Sequence, residues 1–205
     1  MKATDFDLSH DICFVPAKGI TSFRGSRLVI FDANAIGFLR HKLIAAAGRE
    51  RARQLFLELG YQHGYADFLQ MKINYDFDTE MDLLAAGPVI HTWEGIVQAT
   101  PKEIRFDRGS GDFYFSGVWT NSYEGEQHLM FGEAANEPVC WSLMGYASGW
   151  CTAFFQAPLI AIEPVCIGKG DSHCEWLIQP PAKWGEQAKP YLDVYRPFFD
   201  GLKGK

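Results

Sequence analysis

PVCWSLMGYASGWCTAFF, residues Pro138–Phe155, is the stretch on which the fold turns. It is long, largely apolar and opens on a proline, which a first helical turn tolerates; it is too long for a strand, so it reads as a buried helix. Two short strand-like runs follow it, LIAIEPVC (Leu159–Cys166) and HCEWLIQP (His173–Pro180), on either side of the loop IGKGDSH. Upstream, IVQATPKEIRF (Ile96–Phe106) and DFYFSGVW (Asp112–Trp119) read as paired strands joined by the turn DRGSG. On the second of these the period of two places Phe113, Phe115, Gly117 and Trp119 on one face, aromatic with a gap at Gly117. The pattern is α+β: packed helices against an antiparallel sheet.

Further upstream, DANAIGFLRHKLIAAAG has apolar residues at helical spacing (Ile36, Leu39, Leu43), a possible N-cap in Asp32 and a stop at Gly48. A second helix is expected over Arg49–Met71. TEMDLLAAGPVIHTWEGI reads as two short helices broken at Gly87 and Pro88, because proline belongs in a first turn and not in a helix interior; His91 then falls in the turn after the break. At the start, ICFVPAKG and SRLVIFDA read as a two-stranded hairpin, a candidate dimer contact. The end, PPAKWGEQAKPYLDVYRPFFDGLKGK, reads as a segment leaving the domain.

At 205 residues and 47% apolar, the chain can build one core, or a main domain with a small dimerising extension. With 19 basic against 25 acidic residues, the net charge of −6 gives no electrostatic reason to hold a nucleic acid. The first twenty residues lack the pattern of a secretory signal, and no segment matches a membrane span, so a cytoplasmic location is expected. Five cysteines, an odd number, argue against a closed disulfide framework.

Two constellations carry chemistry. Cys140, Glu163, Cys166 and Cys174 can offer zinc four ligands, with Cys166 and Cys174 flanking a glycine-containing loop. Spacing alone leaves plain burial of these thiols open, and His173 is an alternative fourth ligand. His91 and Trp119 lie in apolar, aromatic surroundings, where a neutral imidazole can accept from a phenolic hydroxyl and an indole N–H can donate to it. Two core residues that never meet is the competing reading. A thiol enzyme built on Cys151 or Cys140 finds no supporting nucleophile, zincin or phosphate-loop motif.

ERARQLFLELGYQHG (Glu50–Gly64), LAAGPVIHTWEG (Leu84–Gly95), NEPVCWSLMGYASGW (Asn136–Trp150) and the spacing Cys166-x7-Cys174 together resemble one family. It is the N-terminal effector domain of the XylR/DmpR-type, sigma-54-dependent activators of aromatic catabolism, and the likeness runs from about Ile12 to Trp184. The resemblance implies a vinyl reductase-like sensor that catalyses nothing itself. It also implies structural zinc on Cys140, Glu163, Cys166 and Cys174, and a phenolic oxygen held by His91 and Trp119. In that family the domain forms a homodimer and represses an ATPase domain, with a DNA-binding domain beyond, until an aromatic effector binds; the domain itself touches neither nucleic acid nor membrane. The corresponding division here is an N-terminal dimerising hairpin over 1–35, an effector domain over 36–181 with a zinc lobe from about 136, and a linker over 182–205.

The chain also departs from the family pattern. Lys169 stands where another cysteine is common, which leaves the four named ligands as the economical set. Gly117 and Ala161 stand where phenol sensors carry large residues, which implies room for a bulkier phenol such as 2-hydroxybiphenyl. Leu84, Ile96, Met144 and Trp150 are the expected wall, and refilling of the space by Trp150, Trp93 or nearby aromatics is the rival explanation.

Overall fold

The computed structural model describes residues 1–132 and 134–202, so the last three residues of the expected 182–205 linker lie outside the described residues. The run that opened the sequence reading forms α5 (Trp141–Phe155), nearly every side chain of which is buried. It starts three residues after Pro138, with Cys140 at its N-cap and the Pro138 carbonyl accepting the Trp141 indole N–H at 2.9 Å. Its main partner is α2 (Arg49–Asn74). The two axes come close because each presents glycines four apart, Gly60 and Gly64 against Gly145 and Gly149. A Cβ at Gly60 would lie 2.8 Å from the Ser142 carbonyl carbon, and one at Gly149 2.9 Å from that of Tyr61. Neither approach leaves space for a side chain.

Against this helix pair lies a four-stranded antiparallel sheet of β4 (Gln98–Asp107), β5 (Asp112–Thr120), β6 (Ile160–Val165) and β7 (Cys174–Gln179), in the order β4-β5-β7-β6. The expected alternation on β5 holds: Phe113, Phe115, Gly117 and Trp119 are all buried. On β7, Cys174, Trp176 and Ile178 share the buried face, and Trp176 sits directly across from Gly117.

Five expectations are corrected. First, the region around Pro88 is one continuous helix, α3 (Glu80–Trp93), not two, and His91 lies within its last turn. Proline has no N–H to offer the carbonyl four residues back, which is that of Leu84. The Trp150 indole fills the vacancy, donating to the Leu84 carbonyl at 3.0 Å inside the core. Second, the N-terminal hairpin is a three-stranded meander, β1 (Ile12–Val15), β2 (Ile20–Phe23) and β3 (Ser26–Leu28). Its extra strand arises because Arg24 and Gly25 both take positive φ (45° and 88°), the tight turn that suits the twist of paired strands. Val29, Ile30 and Phe31 lie beyond the sheet and exposed.

Third, α1 (Ala33–Ala47), capped by Asp32 as expected, turns Leu39 outward and buries Arg40. That guanidinium is satisfied from inside, lying 3.9 Å from the Trp141 ring centre and donating to the Val139 carbonyl at 2.9 Å. Fourth, the sequence after Thr120 contains a further helix, α4 (Tyr123–Phe131), capped by Ser122. Fifth, the C-terminal segment does not leave. After α6 (Pro181–Trp184) it forms α7 (Lys189–Asp200), which lays Tyr195 and Phe199 against α2, with Phe198 stacked on Tyr61 at 4.6 Å. Its aromatic residues recur at helical spacing, which gives one strongly apolar face to bury. Among the described residues, no helix is long and apolar enough to cross a membrane.

Candidate functional site

A small apolar cavity of about 30 Å³ lies between α3, α5 and the sheet. Its walls include His91, Trp119, Tyr146, Trp150, Trp176 and Phe115. His91 and Trp119 are thus brought to one space from α3 and β5. Both are buried, and the His91 ring stacks on Tyr146 with centres 3.9 Å apart and planes 7° from parallel. Burial, with the charge of His63 in addition, lowers the imidazole to about 3, so at neutral pH His91 carries no charge and offers one acceptor nitrogen and one donor.

The other expected wall residues divide. Trp150 lines the cavity, whereas Ile96 lines a neighbouring open groove of about 460 Å³ that shares His91 and Tyr146 with it. Leu84, Met144 and Ala161 are buried just outside: Leu84 accepts the Trp150 N–H, Met144 takes the Tyr191 hydroxyl on its sulfur at 3.7 Å, and the Ala161 N–H donates to Ser148. Gly117 leaves no void. A Cβ there would meet Cζ2 of Trp176 and the Thr100 carbonyl oxygen and would lie 2.7 Å from Cε2 of Trp176. The indole of Trp176 occupies the space that a large residue at 117 would otherwise fill. Refilling was foreseen, but by other tryptophans. The signal for Trp176 was present in the two-residue alternation of β7, where only Cys174 had drawn notice. Tyr146 was likewise missed, although it stands one turn before Trp150 on α5.

Behind Tyr146 stands a polar cluster. Its hydroxyl donates to Asp67 at 3.0 Å, and His63 lies 3.3 Å from Asp67 and 3.4 Å from Glu94. Burial and the charge of Glu94 push Asp67 up to about 7. Burial opposes the charge on His63, but the hydrogen bond and charge of Glu94 prevail and raise it to about 9. The stacked His91–Tyr146 pair therefore separates an apolar chamber from an ionised one.

The four expected metal ligands converge. The ligand atoms of Cys140, Glu163, Cys166 and Cys174 all lie within 4.8 Å of one another, and all four residues are fully buried. Sulfurs bound to zinc at about 2.3 Å in a tetrahedron stand about 3.8 Å apart; those of Cys140 and Cys166 are 3.9 Å apart. Backbone N–H groups of Val139 and Ile167 point at the sulfurs of Cys166 (3.5 Å) and Cys174 (3.4 Å), as thiolates require. One Glu163 oxygen is buried without a partner, and burial together with the charge of Cys166 pushes this carboxyl up to about 9. A dication would relieve both. His173 faces away, paired with Glu175 at 3.3 Å. The cluster fits a metal ion held by four protein ligands, tying the start of α5 to both ends of the β6–β7 hairpin. Cys151, the candidate nucleophile, is pushed well above the usual thiol range by burial.

Comparison with known proteins agrees with this architecture. The family described as "Activator of aromatic catabolism" matches residues 7–107, and the vinyl reductase-like domain family matches residues 119–180. The chain is 32% identical to the phenol regulator MopR of Acinetobacter guillouiae over 87% of its length. It is 31% identical to the transcriptional regulatory protein XylR of Pseudomonas putida over 88%. It spans about a third of the length of these two relatives (32% of each). The crystal structure of the phenol-responsive sensory domain of the transcription activator PoxR, with phenol, superposes at a TM-score of 0.87 with 30% identity, covering 94% of both chains. These relatives are regulators, and nothing in them favours a hydrolase. The chain belongs to the family of sensory domains of the activators of aromatic catabolism.

Proposed function

We propose that the cavity is an effector site for a phenol, read by His91 and Trp119 and enclosed by aromatic walls. One observation carries this: an uncharged histidine and a tryptophan, both without a hydrogen-bond partner among the described residues, face one buried apolar space. A phenolic hydroxyl satisfies both, donating to the imidazole and accepting from the indole. Ring burial supplies most of the affinity. The relatives named for phenol support the reading.

The cavity is smaller than the roughly 150 Å³ apolar hole known to admit benzene, so the site opens as a ring enters. A single-ring phenol or alkylphenol is the favoured effector. A 2-hydroxybiphenyl would need Trp176 to swing out of the Gly117 notch as well.

The metal is zinc, held by Cys140, Glu163, Cys166 and Cys174; a closed four-ligand shell is structural, because catalytic zinc keeps a position open. Zinc would supply rigidity to the lobe beside the pocket. Effector binding then favours one of two arrangements of this lobe and of α7, relieving repression of an ATPase domain in the full-length activator; such a shift requires different affinity for the two arrangements. The domain acts in the cytoplasm as a homodimer. The N-terminal meander and the exposed Val29, Ile30 and Phe31 form its contact. Titrating the domain with phenol and with toluene, followed by tryptophan fluorescence, tests the reading: phenol should quench at lower concentration, and absence of any response to either would refute it.

A further inference from the structure

The sequence contains six tryptophans. Four of them donate their indole N–H to a backbone carbonyl: Trp93 to Phe6 (3.1 Å), Trp141 to Pro138 (2.9 Å), Trp150 to Leu84 (3.0 Å) and Trp184 to Ile160 (2.9 Å). The two that do not, Trp119 and Trp176, both line the cavity, with ring centres 6.0 Å apart. Trp176 is 3% exposed, and its N–H is buried with no partner. Buried donors are nearly always satisfied, and one left unpaired in a native interior calls for an explanation. Here the indole is also held in place: it lies in the notch of Gly117, directly across the β5–β7 pair, with Phe115 edge-on at 4.8 Å.

We propose that Trp176 is a second hydrogen-bond donor to the effector, so that the site takes an aromatic ring with two oxygen functions. One is the phenolic hydroxyl met by His91 and Trp119. The other is a neutral acceptor, an ether or carbonyl oxygen, met by the Trp176 N–H. A carboxylate does not suit the site, because no Lys or Arg lines it and His91 is uncharged, and an unpaired buried charge is far costlier than a neutral acceptor. This inference rests on the phenol reading and specifies its ligand class.

The test compares 2-, 3- and 4-methoxyphenol, each against the ethylphenol of the same position, which has similar shape without the acceptor. Calorimetry is run on the wild type and on Trp176→Phe, together with spectra of protein labelled with nitrogen-15 at the indoles, in which Trp176→Phe identifies the Trp176 signal. At least one methoxyphenol should bind about tenfold more tightly than its ethyl partner, the effect of one hydrogen bond on a buried donor. The Trp176 N–H signal should move with that ligand and not with the ethylphenol. In Trp176→Phe the advantage should vanish while phenol still binds. The proposal is overturned if no pair differs, if the variant keeps the preference, or if Trp176→Phe weakens plain phenol as much as the methoxyphenol, which would place this N–H on the first hydroxyl. Should the variant fail to fold, the wild-type comparison of each pair decides alone. Failure of every phenol to bind the wild type would instead bring down the effector reading itself.

Discussion

Gly117→Ala is a one-methyl change whose consequence can be worked from the structure. The new Cβ would stand 2.7 Å from Cε2 of Trp176 and closer still to Cζ2 and to the Thr100 carbonyl oxygen. Ordinary carbon contacts begin at about 3.5 Å, so at least one neighbour has to move by about 0.8 Å or more. Thr100 is fixed in β4, paired with Val118 across the ladder. The indole therefore yields, and the open side is the cavity. Overpacking of this kind costs about 1–3 kcal/mol, which lowers the melting temperature of a domain this size by roughly 2–10 °C. Phenol affinity should fall in parallel, because the displaced ring takes ligand space.

Urea denaturation and calorimetry on Gly117→Ala, Trp176→Phe and the double variant supply the assay. The smaller ring should accommodate the methyl, so the two changes should couple by about 1 kcal/mol or more, beyond the few tenths expected of independent sites. A neutral Gly117→Ala, or strict additivity, would refute the claim that Trp176 fills this notch.

Removing the indole that completes α3, Trp150→Phe, leaves the Leu84 carbonyl buried and unpaired and should cost about 1–3 kcal/mol in urea denaturation, in addition to lost packing. His91, whose folded value is lowered to about 3 from an ordinary 6.5, binds a proton in the unfolded chain first. Its contribution is therefore present above pH 6.5 and lost as pH falls toward 3, and His91→Gln should flatten that part of the stability profile. For the same reason phenol affinity should be level between about pH 5 and 8, and a step near 6.5 would contradict an uncharged His91. Metal analysis of the native domain should find about one zinc per chain, and Cys166→Ser should abolish it with a large loss of stability. Metal retained by that variant would exclude the four-ligand site.

The sheet, the two long helices and the metal cluster were legible because each has a local signature: period-two alternation on β5, Asp32 and Gly48 bracketing α1, cysteines on either side of a glycine loop. What escaped depends on partners distant in sequence. Pro88 breaks a helix by local rules, and only Trp150, sixty-six residues from the carbonyl it serves, makes the uninterrupted α3 tolerable. Arg40 reads as solvent-facing until Glu124 and the Val139 carbonyl are placed beside it. Gly117 reads as empty space until the antiparallel register sets Trp176 opposite. The C-terminal segment reads as a tail because its prolines, Pro190 and Pro197, mask the aromatic face that packs on α2. The glycine pairs of α2 and α5 did carry a readable signal, two glycines four apart on each helix, and it indicated the closest contact in the fold.

The central claim is that His91 reads a hydroxyl inside an apolar cavity. It is tested most directly by a calorimetric cycle of phenol and toluene against wild type and His91→Ala. The wild type should prefer phenol by tenfold or more, since toluene leaves buried polar groups unpaired at roughly 1–3 kcal/mol each. In His91→Ala most of that preference should disappear while toluene still binds. An undiminished preference in the variant, or equal binding of phenol and toluene by the wild type, would contradict the account.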